Sequence, residues 1–183
     1  SDDATTDIVR GYCDTDARLG LLHGEETPEG WTGKNWACHQ LSRSAAGDIL
    51  LFVDADVRPS PHALSHTAAA FAAYEADAVS AFPRQLLHGF AARLIVPIMD
   101  VILYAFLPLP LVHRTRRPSL AAANGQWIAF RREGYDRIGG HEAVRGEIVE
   151  DIALARRVKV HGGTMLLTVG AGSVACRMYE GFA

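Results

Sequence analysis

Ile49-Leu50-Leu51-Phe52-Val53-Asp54-Ala55-Asp56 is the stretch that decides the fold of this 183-residue chain. Its first five residues form a continuous apolar run, which is typical of a β-strand buried on both faces. Around it, residues 5–13, 34–46 and 61–76 have helical patterns, and residues 78–82 predict another strand. Strands that alternate with helices predict an α/β fold in which a mostly parallel sheet is flanked by helices.

The Asp54-Ala55-Asp56 motif follows the apolar run directly. In open α/β sheets, ligands bind beyond the carboxyl ends of the strands. Two carboxylates at such a position suit Mg²⁺ or Mn²⁺, and a cation held there can bind a diphosphate. The alternative is that Asp54 only caps the next turn and that Asp56 is solvated.

A second acidic segment, Glu147-Ile148-Val149-Glu150-Asp151, leads into a helical pattern whose basic residues fall toward its end. Acids at the start and bases at the end of a helix suit the helix dipole. One of these carboxylates could also act as a general base toward a bound acceptor. The segment alone leaves both interpretations open.

Three glycine-containing turns are further candidates for the site. Gly30-Trp31-Thr32-Gly33-Lys34-Asn35 precedes a helix, so its amides and Lys34 could face an anion; the alternative is a surface turn with a solvated lysine. It is not a P-loop, since Pro28 and Asn35 stand where that motif needs Gly and Ser or Thr. Asn124-Gly125-Gln126 precedes an apolar run, and Gly139-Gly140-His141 ends a short helix. His141 either contacts substrate or metal or makes a structural hydrogen bond.

Composition excludes several classes of protein. The chain is 49% hydrophobic and 21% charged, which argues for a folded core and against disorder, and its length fits one domain. A net charge of −3 argues against a general nucleic-acid binder. Cys13, Cys38 and Cys176 are too few and too widely spaced for a disulfide framework or a zinc cluster, so a reducing, cytoplasmic environment is expected.

The segment from 94 to 117 begins with the apolar run LIVPIMDVILYAFLPLPLV. Pro97, Pro108, Pro110 and Asp100 argue against a regular membrane-spanning helix. The run ends in a basic cluster made of His113, Arg114, Arg116 and Arg117. We therefore expect an interfacial or acceptor-facing element whose basic residues meet anionic headgroups, with a buried core helix as the alternative.

Taken together and in order, these motifs resemble those of family-2 glycosyltransferases of the GT-A fold. The similarity is to the membrane-associated branch that glycosylates lipids, including carotenoid and hopanoid-associated glucosyltransferase-like proteins. The matching segments are Asp2-Asp3 with Thr6-Asp7, Gly30–Trp36, Asp54–Asp56, Phe82-Pro83-Arg84-Gln85, Asn124–Phe130, Gly139–His141, Val149–Asp151 and Arg177-Met178-Tyr179.

The resemblance implies roles on the donor side of the site. An acid of the Asp2-Asp3 pair would contact the nucleotide base, and Lys34 would belong to the nucleotide-binding residues. Asp54 and Asp56 would contact the ribose and the metal-bound diphosphate, with Mg²⁺ or Mn²⁺ as the metal. Arg177 would help to hold the diphosphate, although the family's fuller Q/RxxRW pattern is absent from this sequence.

On the acceptor side, the resemblance implies that Asp151 is the catalytic base. Glu150, Gln126 and His141 are the other acceptor-side candidates. The implied reaction transfers a sugar, with inversion, from a UDP-type donor to a hydroxyl of a lipid-like acceptor. It would take place at the cytoplasmic side of the cell membrane and would involve no nucleic acid.

The resemblance also implies that residues 1–183 form one partial catalytic domain. The family's first strand is expected before Ser1, and its membrane helices are expected after Ala183. Two alternatives remain open on the sequence. A haloacid-dehalogenase-like phosphotransferase would use Asp54 as its nucleophile, but it expects Gly-Thr where this chain has Val57-Arg58. A non-catalytic, membrane-apposed binding module is the other.

Overall fold

The computed structural model describes residues 4–87, 90–106, 109–170 and 172–177. The helices in these segments are α1 (Thr5–Cys13), α2 (Gly33–Ser44), α3 (Ala63–Tyr74), α4 (Phe90–Phe106), α5 (Leu109–Arg114), α6 (Arg132–Arg137) and α7 (Glu150–Val160). The strands are β1 (Ile49–Val53), β2 (Val57–Pro59), β3 (Ala78–Phe82), β4 (Arg84–Gln85), β5 (Trp127–Arg131), β6 (Met165–Val169) and β7 (Val174–Cys176). Short 3-10 helices lie at Pro118–Leu120 and Gly140–Val144.

Four strands form the main sheet in the order β1-β5-β3-β6, and β2, β7 and β4 form a smaller sheet. β5 is antiparallel to both of its neighbours, whereas β3 and β6 are parallel. Three of the four main strands therefore run in one direction, as expected of the predicted α/β sheet. The strand pairing is more mixed than in the predicted mostly parallel sheet. After β3 the chain returns to the end of the sheet at which β3 finishes, and β5 starts there. β5 therefore runs antiparallel to its neighbours β1 and β3.

Local sequence patterns located the first elements accurately. The predicted strands at 49–53 and 78–82 are β1 and β3, and the predicted helix at 5–13 is α1. The expectation that β1 is buried on both faces is wrong, since Ile49 is 38% exposed and Val53 is 43% exposed. The reason is that β1 lies at the edge of the described sheet and pairs only with β5.

Both faces of the main sheet are covered by helices. One face packs against α6 and α7, and its core contains Leu50, Ala78, Ile128, Phe130, Met165, Leu167, Tyr135, Ile138, Leu154 and Val158. The other face packs against Phe71 of α3 through Val79, Ala129 and Leu166. Burial of a side chain the size of Phe71 contributes about 1.5–3 kcal/mol. These two layers hold the carboxyl end of β1 in a fixed position.

The apolar segment forms α4 and α5. Four side chains of α4 with helical spacing are exposed: Phe90 (85%), Leu94 (57%), Ile98 (53%) and Val101 (67%). Because they face outward, the alternative of a buried core helix does not hold for them. In the part of the chain that the structure describes, no helix has both the length and the apolarity to cross a membrane.

Candidate active site

The site forms where the carboxyl end of β1 meets the amino end of β5. The antiparallel register pairs Val53 with Trp127, so the residues just beyond each strand end lie side by side. The backbone N–H of Asp54 donates to the carbonyl oxygen of Gln126 at 3.2 Å. The DxD motif and the Asn124-Gly125-Gln126 turn, which lie far apart in the sequence, therefore share one edge of the sheet.

Lys34 joins the two acidic segments. Its Nζ lies 3.1 Å from Asp54 Oδ1 and 2.9 Å from Glu150 Oε1. Burial alone would lower the pKa of Lys34, but the hydrogen bonds and negative charges of Glu150 and Asp54 outweigh burial and raise it. Lys34, at the first turn of α2, is therefore a fixed positive charge between two carboxylates: Asp54 after β1 and Glu150 at the first turn of α7.

Asn35 fixes the start of α2 relative to the start of α7. Its backbone N–H donates to Thr32 Oγ1, which caps the helix. Its side chain is fully buried, and Nδ2 donates to the carbonyl oxygens of Val144, Arg145 and Glu147 at 2.8, 3.1 and 3.0 Å. This side chain therefore holds the loop that leads to Glu150 against the helix that carries Lys34.

Asp151 lies against the Gly125 turn. Its Oδ2 accepts from the N–H of Gly125 at 2.8 Å, and its Oδ1 accepts from the N–H of Ile152 at 2.7 Å. Burial raises the pKa of Asp151, although these two N–H groups pull it down. A raised pKa makes the carboxylate a stronger base.

Gly125 allows the acids and the lysine to come this close. A Cβ on Gly125 would lie 3.3 Å from both Glu150 Oε1 and Lys34 Nζ, and 3.4 Å from Asp151 Cβ. Any larger residue here would press on three charged side chains at once. A side chain at position 125 would therefore require these groups to shift by a few tenths of an ångström.

A cleft of about 480 Å³ opens at this cluster and runs beneath α2 along β1. Lys34, Asp54, Glu150 and Asp151 line its polar end, while Leu41, Leu50, Phe52 and Leu154 are among its apolar wall residues. An adjoining hollow of about 250 Å³ shares those four polar residues and adds Gln126. A separate cavity of about 440 Å³ lies on the α3 side of the sheet and is lined by none of these acids.

The Asp56 carboxylate is held by a chain of hydrogen bonds from two buried residues, Cys176 and Gln126. The thiol of Cys176 donates to Asp56 Oδ2 at 3.0 Å, and Gln126 Nε2 donates to Cys176 Sγ at 2.8 Å. Burial raises the pKa of Cys176 to about 12, and the hydrogen bond to Asp56 adds to this effect. The thiol is therefore protonated at neutral pH and serves as a donor. Gln126, one of the acceptor-side candidates, lies beneath Asp56 and is 6% exposed.

His141 is 2% exposed. Its Nδ1 lies 2.6 Å from the Tyr135 hydroxyl, and its ring packs edge-on against Phe52 at 4.7 Å between centroids. Burial lowers the pKa of His141 to about 4, so the ring is neutral at pH 7. The structural hydrogen bond left open on the sequence is thus present, and the ring also lines the cleft.

The remaining site candidates lie at the chain ends. Asp2 and Asp3 lie outside the described residues. Arg177 is exposed beside the DxD motif, and its backbone N–H donates to the carbonyl oxygen of Asp56 at 3.3 Å. Sequence reasoning missed the roles of Asn35 and Cys176. The position of Cys176 directly before Arg177 is the only signal that pointed toward it.

The chain belongs to the family described as "Glycosyltransferase like family 2", whose model matches residues 1–177. The chain is also 24% identical over 191 residues to 4,4'-diaponeurosporenoate glycosyltransferase of Staphylococcus haemolyticus, in an alignment that covers 98% of this chain and 47% of that protein. The predicted family is confirmed, and the match favours it over a haloacid-dehalogenase-like phosphotransferase.

Two solved structures share the fold. The mannosyltransferase PcManGT from Pyrobaculum calidifontis, in complex with GDP-Man and Mn²⁺, has a TM-score of 0.64 and 24% identity over 92% of this chain and 44% of its own. TarS residues 1–349 from S. aureus, in complex with UDP-GlcNAc, has a TM-score of 0.61 and 16% identity over 100% of this chain and 48% of its own. The predicted GT-A class is therefore confirmed. The chain spans about half the length of these relatives.

Proposed function

We propose that this chain binds a nucleotide-sugar donor, with UDP-hexose the expected type, and transfers its sugar to a hydroxyl of a lipid-like acceptor. The convergence of Lys34, Asp54, Glu150 and Asp151 at one end of the cleft carries this proposal. Family membership supports sugar transfer as the reaction class. The solved relatives that hold GDP-Man and UDP-GlcNAc support a nucleotide-sugar donor.

The donor's diphosphate would lie at the polar end of the cleft. Lys34 supplies a fixed positive charge there, and Arg177 lies beside the neighbouring Asp56. Both cations can offset phosphate charge. The cleft along β1 has space for the nucleoside, whose apolar faces would meet Phe52 and its neighbours.

Asp54 and Asp56 have the chemistry to hold Mg²⁺ or Mn²⁺. Among the described residues, no group of three or more His, Cys, Asp or Glu could hold a metal ion without help. Two carboxylates nevertheless fit, because Mg²⁺ is commonly bound by one or two carboxylates together with substrate phosphates and water. A bound cation would supply charge neutralisation at the departing diphosphate.

Asp151 is the proposed general base. It lines the same cleft as Asp54 and forms no ion pair with a described residue, whereas Glu150 already forms an ion pair with Lys34. Its carboxylate would accept the proton of the acceptor hydroxyl as that oxygen forms a bond to the anomeric carbon. The bond from that carbon to the nucleotide diphosphate breaks with its electron pair going to the phosphate oxygen. One displacement of this kind inverts the anomeric centre.

The exposed side chains of α4 support a lipid-like acceptor and a membrane surface. Phe90, Leu94, Ile98 and Val101 offer one apolar face, and exposed Arg114, Arg116 and Arg117 follow it. An apolar helix face beside basic residues is the pattern of an element that lies on an anionic membrane. Similarity to a 4,4'-diaponeurosporenoate glycosyltransferase supports such an acceptor. We place the protein at the cytoplasmic side of the membrane.

Titration calorimetry of the chain with UDP, with and without Mn²⁺, tests the donor site. We expect Mn²⁺ to tighten binding, and we expect Asp54→Asn and Asp56→Asn each to remove most of that gain. Asp48→Asn is the matched control, because Asp48 is exposed at the opposite end of β1. Equal UDP affinity in Mn²⁺ and in EDTA would contradict the metal role.

Transfer is tested with labelled UDP-sugars and GDP-sugars presented to a lipid extract. Labelled lipid product that depends on Asp151 supports the proposal. Metal-dependent UDP binding without any turnover would instead favour the non-catalytic binding module.

A further inference from the structure

Cys176 lies next to the DxD motif although it is far from it in sequence. β7 pairs with β2 in an antiparallel register that places Cys176 opposite Val57, the residue after Asp56. Cys176 is fully buried. Its thiol therefore has a fixed place beneath the second carboxylate of the motif.

A chain of hydrogen bonds ends on one oxygen of that carboxylate. Gln126 Nε2 donates to Cys176 Sγ at 2.8 Å, and the thiol donates to Asp56 Oδ2 at 3.0 Å. Gln126 Nε2 also lies 3.4 Å from Oδ2. With Oδ2 held from the protein side, the carboxylate cannot rotate freely, and its other oxygen has a defined direction.

We propose that Cys176 is a positioning residue that fixes the Asp56 carboxylate for cation binding, with Gln126 as the group that orients its thiol. This inference rests on the proposed function, because it assumes that Asp56 binds the donor's cation. Gln126, which is also buried, supports this inference, because its Nε2 donates to Cys176 Sγ and lies near Asp56 Oδ2. Its buried Oε1 has no hydrogen-bond partner among the described residues.

A packing role alone makes a different prediction from a positioning role. A thiol that only fills space can be replaced by any group of similar size, and its loss affects stability but not cation affinity. A thiol that orients a carboxylate affects cation affinity most, and a hydroxyl at the same place restores the function. Cys176→Ala and Cys176→Ser therefore separate the two roles.

The experiment measures UDP binding to the full chain by calorimetry over a series of Mn²⁺ concentrations and again in EDTA. We expect Cys176→Ala to raise the apparent Kd for Mn²⁺ about three- to tenfold, which corresponds to the loss of one ordinary hydrogen bond of about 0.7–1.4 kcal/mol. UDP affinity in EDTA should not change. Cys176→Ser should remain within about twofold of the unsubstituted chain. Cys13→Ala, on α1, is the control and should have no effect.

A double substitution gives the deciding comparison. In an Asp56→Asn background, Cys176→Ala should have no further effect on the Mn²⁺ response, because the carboxylate that it orients is gone. A normal Mn²⁺ response in Cys176→Ala, or an equal loss in Cys176→Ser, overturns the positioning role alone. If the unsubstituted chain shows no Mn²⁺ response, the proposed metal site fails, and the role of Cys176 fails with it.

Discussion

Lys34 Nζ lies 2.9 Å from Glu150 Oε1, and this ion pair joins the first turns of α2 and α7. The Glu150 side chain is 10% exposed, so its charge is largely removed from water. A buried carboxylate depends on its partner, because an unpaired charge in the interior is costly. The pair therefore contributes to both stability and site geometry.

Lys34→Met should lower the free energy of unfolding by about 1–3 kcal/mol, because it leaves Glu150 buried without its partner. Urea titration measures the change. Arg10→Met is the matched control, since it breaks the exposed Arg10–Asp7 pair and should cost less than about 0.5 kcal/mol. Equal effects of the two substitutions would show that burial of Glu150 does not matter.

Asp151→Asn should reduce sugar transfer by about 10²–10⁴-fold, the usual range for loss of a general base. UDP affinity should stay within about twofold, because Asp151 is not assigned to the donor. Because its pKa is raised, activity of the unsubstituted protein should fall on acidification through a pKa above that of an ordinary Asp. Asp136→Asn, at an exposed position of α6, is the control. Retained turnover in Asp151→Asn would place the base elsewhere.

His141 should make the fold acid-sensitive. Its folded-state pKa of about 4 lies below the usual value of 6.5, so the unfolded chain binds the extra proton first as pH falls. The contribution of neutral His141 to the free energy of unfolding is fully present above about pH 6.5 and is lost as the pH falls toward 4. Between pH 7 and pH 5 the loss should be about 2 kcal/mol.

Urea titrations at pH 7 and pH 5 measure this loss. His141→Asn keeps an acceptor near the Tyr135 hydroxyl but cannot take up the proton. Its stability should change between the two pH values by about 2 kcal/mol less than that of the unsubstituted chain. The same pH dependence in both proteins would mean that His141 titrates normally.

Asn35→Ala should lower the free energy of unfolding by about 2–4 kcal/mol, because the carbonyl groups of Val144, Arg145 and Glu147 lose a buried donor. Ser44→Ala, which removes an exposed hydroxyl at the end of the same helix, should cost less than about 0.5 kcal/mol. Chemical denaturation of both variants provides the comparison. A small effect at Asn35 would mean that the loop before α7 is held by other contacts.

The elements of the fold that the sequence predicted are those whose formation depends on neighbouring residues in the chain. β1 is a short apolar run, and β3 is apolar except for Ser80. Both are bounded by polar or turn residues, and α2 begins at a Thr-Gly cap. The insertion of β5 against β1 was missed, because strand pairing depends on the path of the chain between distant segments. The mixed sheet is the result.

The sequence predicted the acidic motifs of the site but not the residues that hold those motifs in place. Asn35 donates hydrogen bonds to backbone groups 109–112 positions away in the sequence, and Cys176 donates a hydrogen bond to Asp56 across 120 positions. Neither residue has a sequence pattern of its own. Such partners become visible only when the strands and helices that carry them are placed in space.

The open edge of β1 also affects how the chain behaves at high concentration. Its five residues, Ile-Leu-Leu-Phe-Val, contain no charge, proline or glycine, and no described strand pairs with the outer edge. Edges of this kind are templates for intermolecular hydrogen bonding, and natural proteins commonly blunt them with a charge. We expect two copies of this chain to associate through this edge, so aggregation should increase with concentration. Val53→Lys, at a position that is 43% exposed, should improve solubility without placing a charge in the core.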